Sequence, residues 1–413
     1  MNMKRSRLAL LLVISSAPVF AGVFPDCSYM PPPGWNSAAG DPVFALSQDY
    51  PATDPSPGLP QPWKAIDFHA QPAAYMQAVI DYCYEGNVAV QFRGQDNTVR
   101  KWYHAPWLHP GTNGREFTHG LTGERMSRSL ELAATQTVDK IHNFAVGFYN
   151  APGGFTIGQV WADPHHPDVT KAVFPEGTVT FKLLFTKATK DQVPYIEGAP
   201  EWIADTERTN DATQIRANMV RLLQIDIAVK DNRSSEGGWV FGTFQFDKDA
   251  AGADPWRKIT PVTLMWGNDP MFTPAAYDPA HGHVPQQTWI NNTAPIVVYR
   301  TGLPQSSTVA HVLGWAGRGN GPVDNPASSC LSCHGLAEQP RAVSMLPSGS
   351  DQQKLRWFRN LGALEPFDND GHHKSLDFSL QLAIGIDNQA HATVPHLFIG
   401  PKKNSPISRD PAK

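Results

Sequence analysis

The chain has 413 residues, of which 17% are charged, and a formal net charge of −4 at pH 7. A balance so close to neutral gives no electrostatic case for nucleic acid or an anionic membrane surface as a partner. Its 37 prolines, 33 glycines, 12 tryptophans and 20 phenylalanines exclude a simple helical bundle and argue against disorder, suiting instead a turn-rich protein with aromatic packing.

At the start, Lys4, Arg5 and Arg7 precede an apolar run from Leu8 to Ile14, and small residues follow up to Ala21. This is the pattern of a secretory signal peptide over residues 1–21, and the run is shorter than the ~20 residues a membrane span needs. No other segment is apolar enough to cross a bilayer, so the expectation is a soluble protein of roughly 390 residues, periplasmic or otherwise exported. Residues 22–70 are dominated by proline and form an extended arm, and residues 401–413 form a flexible tail.

Between them the pattern predicts an α+β protein. Residues 71–304 form a β-rich domain with a few helices. Met76, Val79, Ile80 and Cys83 recur at helical spacing within Ala73 to Glu85, and a longer helix is expected from Met126 to His142. The runs "AVGFYN", "FTIGQVW", "GTVTFKLLFT", "MVRLLQIDIAV", "GWVFGTFQFD", "VTLMWGN" and "APIVVYR" read as short strands separated by turn residues. Some partly alternate polar with apolar, as in strands with one wet face, which suggests an antiparallel β-sandwich or jelly-roll-like domain. Residues 305–400 then turn helical in "STVAHVLGWAG", "DQQKLRWFRNLG" and "SLDFSLQLAIGI", the last with Leu376, Leu380, Ala383 and Ile384 on one face.

The four cysteines fall into two pairs. Cys27 and Cys83, in an oxidising compartment, are expected to form a disulfide closing a loop of about 56 residues, worth roughly 4 kcal/mol on the chain-entropy model. Cys330 and Cys333 lie in "CLSCHG", a Cys-x-x-Cys followed directly by His334. A redox pair would sit at a strand-to-helix junction without need of the histidine, and a zinc ribbon would require a second Cys or Cys/His pair. Two thiols that add to the vinyl groups of one haem, with the histidine as proximal iron ligand, account for all three residues.

The "CLSCHG" motif with its helical tail of about eighty residues resembles the c-type cytochromes. The resemblance covers about a quarter of the chain. It implies a small all-α cytochrome c-like haem domain over residues 305–400, one covalent haem c, thioether bonds at Cys330 and Cys333, and His334 as the iron ligand. The upstream part is similar to exported bacterial proteins of unknown role that carry a C-terminal cytochrome c domain.

For the sixth iron ligand the sequence offers Met345, about eleven residues beyond His334, then His372 and His373 in "DNDGHHK", and more remotely His391 and His396. A ligand from the β domain or an open position are the remaining choices. Other histidine runs are weaker signals. His281 and His283 would place two imidazoles toward one metal on a strand, but Pro279 and Pro285 flank them. His104 and His109, with Arg115, Glu116 and His119, suit either a cleft or loop packing, and Trp102, Trp107, Trp161, Trp239, Trp256 and Trp266 suit either a ligand site or a core. The expectation is an exported mono-haem c-type cytochrome that exchanges electrons with a redox partner protein. Its rivals are a haem enzyme or sensor with an open distal iron site, and a ligand-binding β domain with an accessory haem.

Overall fold

The computed structural model describes residues 47–108, 121–205, 217–304, 306–341 and 343–392. Cys27, His109, Arg115, Glu116, His119 and His396 lie outside these residues, as does the side chain of His391.

An N-terminal helix, α1 (Pro72–Tyr84), starts with proline in its first turn and buries Tyr75, Met76, Val79, Ile80 and Cys83. The strands follow as β1 (Thr122–Gly123), β2 (Asn143–Tyr149), β3 (Val179–Thr186), β4 (Glu201–Asp205), β5 (Ala217–Lys230), β6 (Trp239–Phe246), β7 (Ile259–Met265) and β8 (Thr288–Ile290). They form one antiparallel sheet in the order β1-β2-β3-β5-β6-β7-β8, with β4 pairing the first half of β5. A further two-stranded pair joins β9 (Glu338–Gln339) to β10 (Lys374–Ser375). The strands are therefore not divided between the two facing sheets of a sandwich or jelly roll.

Period-two alternation gives the large sheet two chemically different faces. The cross-strand rows Phe148–Phe181–Ile227 and Val146–Leu183–Ile225 enter a core shared with α1, Trp63 and Phe68. On the other face lie the rows Tyr149–Thr180–Ala228–Phe241–Met265 and Gly147–Lys182–Asp226–Thr243–Thr263. The apolar members of the first of these rows form a second core with Leu331, Leu336, Leu361, Phe378, Leu382 and Ile386.

That shared core corrects the expected separate all-α haem domain. The segment after residue 305 has few helical turns: α4 (Cys330–His334), α5 (Asp351–Lys354) and α6 (Leu380–Ala392). Leu331 of α4 and Leu382, Ala383 and Ile386 of α6 are buried in the core they share with the sheet, while α5 is wholly polar. α6 packs so closely that a Cβ on its Gly385 would lie 2.6 Å from the Pro106 carbonyl oxygen, and one on Gly147 of β2 would meet the Gln381 amide.

Several local expectations also change. "FTIGQVW" falls in α2 (Ala151–Val160), where the Asn150 side chain caps Gly153 N and Pro152 sits in the first turn, so start signals outweigh β-branched content. "APIVVYR" forms α3 (Pro295–Thr301), again opened by proline. Residues 126–142 are turns joined by a Ser127–Ile141 bridge, because the Gln136 amide bonds Leu132 N and Arg128 O and competes with a helix. "STVAHVLGWAG" is bent, since the buried Arg318 guanidinium draws in the carbonyls of Trp315, Asn268, Asp269 and Phe272.

Candidate haem-attachment site

The Cys-x-x-Cys-His run is the short helix α4, fixed at its start by a reciprocal cap. Ser332 N donates to Ser329 Oγ at 3.1 Å and Ser329 N to Ser332 Oγ at 2.8 Å, while Ser329 Oγ donates to Asn268 Oδ1 at 3.1 Å. Cys330 and Cys333, three residues apart on a helix, share a face. Both are partly buried and neither is in a disulfide.

His334 is held at two points. Its Nδ1 lies 2.9 Å from the Phe378 carbonyl oxygen, and its ring centroid is 4.4 Å from that of Phe241 on β6. A carbonyl can only accept, so Nδ1 carries the proton and Nε2 keeps its lone pair. Burial pushes the imidazole down to about 4, so at neutral pH it is uncharged, the form that binds a metal.

The Phe378 carbonyl is itself clamped. Asp377 and Phe378 both adopt left-handed backbone, with φ 46° and 65°. The wholly buried Asp377 carboxylate accepts from Lys230 Nζ (2.7 Å) and Trp239 Nε1 (2.8 Å) at Oδ1, and from Phe174 N (2.8 Å) at Oδ2. Strands β5 and β6 and the loop segment at Phe174 thus fix the turn that orients His334.

Beside the motif lies an ionisable patch. Lys182 Nζ is 3.0 Å from Asp226 Oδ2 and 3.8 Å from Glu124 Oε1, and Asp226 Oδ1 accepts from Gln224 Nε2 and Thr243 Oγ1. Asp324 accepts from Gly321 N at 2.9 Å. Burial pushes Glu124 up, and burial with the Asp226 charge does the same to Asp324. Burial works against the Lys182 charge, yet the Glu124 and Asp226 carboxylates hold its ammonium well above the ordinary range. Burial and the charges of Asp324 and Asp226 raise the Cys330 thiol well above its usual range, and burial lifts Cys333 to about 11. Redox-active Cys pairs need the opposite shift.

The remaining sequence candidates disperse. Met345 is partly buried in the second core, with its carbonyl oxygen 4.0 Å from Cys333 Sγ. His372 is exposed, and His373 Nδ1 is 2.8 Å from Asp370 Oδ1, so both lie in the Asp370 turn. His281 pairs with Asp278 at 2.6 Å and both it and His283 are exposed, on a turn rather than a strand. His104 is buried against Phe148, with Ser47 N bonded to its Nδ1. Trp102, Trp256 and Trp266 belong to the first core and Trp107, Trp161 and Trp239 to the second, so they pack the sheet rather than line a ligand site. Cys83 is fully buried in the first core and unbridged, its thiol pushed up by desolvation.

Comparison with protein-family profiles, with curated proteins and with solved structures finds no match. The residues themselves carry the reading. Two unbridged thiols on one face of a turn, next to a neutral imidazole with a fixed tautomer, fit covalent haem. They do not fit a zinc ribbon, because among the described residues the one other cysteine, Cys83, lies in the core on the opposite face of the sheet.

Proposed function

We propose that the chain carries one haem c, linked through Cys330 and Cys333, with His334 Nε2 as the proximal iron ligand, and that it is an exported electron-transfer protein. When bound, the haem supplies one-electron cycling between Fe(II) and Fe(III). The observation that carries this reading is the hydrogen bond from His334 Nδ1 to Phe378 O, the outer-shell partner a metal-ligating histidine requires.

The protein's own contribution is positioning and field. The capped α4 sets the two sulfurs, the Asp377 clamp sets the imidazole, and Phe241, Leu331 and Phe378 supply an apolar wall that excludes water. The Asp226 carboxylate favours the oxidised, more positive state and Lys182 opposes it. Of the distal ligands foreseen, Met345 keeps an apolar setting in the same core as Cys330.

A haem enzyme or sensor is the second reading, favoured by the Lys182, Asp226 and Glu124 groups beside the motif, which would donate or accept protons there. The deciding test is the optical spectrum of the matured protein reduced with dithionite, recorded with and without carbon monoxide. A low-spin spectrum that the gas leaves unchanged, and that becomes gas-sensitive in Met345→Ala, supports the electron carrier. A high-spin wild-type spectrum that shifts with the gas overturns it in favour of the enzyme or sensor.

A further inference from the structure

A second cluster of ligand-type side chains lies beyond the motif, where the β9–β10 pairing sets Ser375 opposite Glu338. Glu338, Asp368 and His373 each offer one ligand atom, and the three atoms lie within 4.8 Å of one another. Glu338 is 1% exposed. Its Oε2 accepts from Asp368 N at 2.9 Å, but its Oε1, equally buried, has no hydrogen-bond partner. A buried carboxylate oxygen without a partner costs folding free energy unless a cation or a proton satisfies it.

The third residue is prepared in the way metal-binding histidines are. Asp370 Oδ1 accepts from the backbone N of His372 and His373 and lies 2.8 Å from His373 Nδ1, which leaves Nε2 for a metal. Arg356 pairs with Asp368 Oδ1 and neutralises one of the three carboxylates. Metal binding requires Glu338 ionised and His373 neutral; with Asp368, Asp370 and Arg356 charged, two negative charges then remain, the complement of a divalent ion.

We propose that Glu338, Asp368 and His373 bind a divalent transition-metal cation of the zinc type, which ties β9 to the turn that leads into β10. One imidazole among two carboxylates selects against Ca2+ and Mg2+, which prefer all-oxygen sites. The position has a consequence for the motif: β9 begins four residues after His334, and β10 runs directly into the Asp377 turn. The site does not depend on haem being bound.

The test is calorimetric titration of the full chain, with Cys330 and Cys333 haem-linked or both replaced by alanine, using ZnCl2 and then CaCl2 and MgCl2. One tight Zn2+ equivalent is expected, with Ca2+ and Mg2+ at least about tenfold weaker. Glu338→Gln and His373→Ala should each weaken Zn2+ at least about tenfold, and Asp370→Asn, which leaves all three ligands in place, by about 10- to 100-fold. If Glu338→Gln does not fold, His373→Ala and Asp370→Asn decide on their own, since both change partly exposed or exposed residues. Absence of a Zn2+ equivalent overturns the proposal. So does equal affinity in the wild type and these variants, which would place the ion on exposed histidines such as His281 and His283.

Discussion

Asp377→Asn removes the charge from the clamp that orients His334. Three donors converge on the carboxylate at 2.7, 2.8 and 2.8 Å, from Lys230, Trp239 and Phe174 N. An asparagine has one acceptor oxygen, so in its better orientation the oxygen keeps Lys230 and Trp239 while the NH2 faces the Phe174 N–H, donor against donor. That buried N–H costs about 1–3 kcal/mol. Lys230, 7% exposed at its side chain, also loses its counter-charge, which brings the total to the about 3–5 kcal/mol typical of a broken buried ion pair. Urea unfolding measures the loss directly. A cycle with Lys230→Met, which removes the stranded ammonium, should recover about 1–3 kcal/mol of it. In the matured protein the same variant should raise the fraction of high-spin iron, because the Phe378 carbonyl is no longer held. A loss below about 1 kcal/mol with an unchanged spectrum would refute the clamp.

Gly385→Ala ordinarily stabilises a helix by about 1 kcal/mol, but here the new methyl meets the Pro106 carbonyl oxygen at 2.6 Å. The expected sign is therefore reversed, with a lower thermal midpoint. The pH dependence of stability is a second check. Burial and the Asp226 charge raise the Asp324 carboxyl, so the native chain retains a proton that the unfolded chain has released, and stability falls as pH climbs above about 3.8. Asp324→Asn removes this loss, and its advantage over the wild type in urea unfolding should grow from pH 4 toward neutrality; a difference independent of pH would contradict the assignment. The raised thiols of Cys330 and Cys333 predict slow alkylation by iodoacetamide at pH 8 in the folded, haem-free chain and fast alkylation in urea, read by mass spectrometry.

Much of the β region was legible because its side chains obey a period of two. The lysine in "TFKLLF" and the aspartate in "LQIDIA" marked a polar side to otherwise apolar strands, and that side carries Lys182 and Asp226 next to the motif. The helix α1 was equally plain from its apolar spacing. What the sequence hid is tertiary. Asp377 looks like one polar residue in an incipient helix, and nothing local reveals that Lys230 and Trp239, about 140 residues earlier, converge on it. The segment after residue 305 suggested a self-contained helical unit because its apolar residues do recur at helical spacing in α6, yet their partners are Tyr149, Ala228, Phe241 and Met265 on the sheet. Glu338 gave no signal either, since its role depends on a two-residue strand whose partners, Ser375 opposite Glu338 and Lys374 opposite Gln339, lie far along the chain.

Haem joined to Cys330 and Cys333 is the central claim, and the intact mass of the purified, denatured chain tests it most directly. The account predicts the polypeptide mass plus one haem, which survives acid and denaturant and is lost in Cys330→Ala/Cys333→Ala. The mass of the bare polypeptide, recovered from a host competent to mature c-type haem proteins, would contradict it.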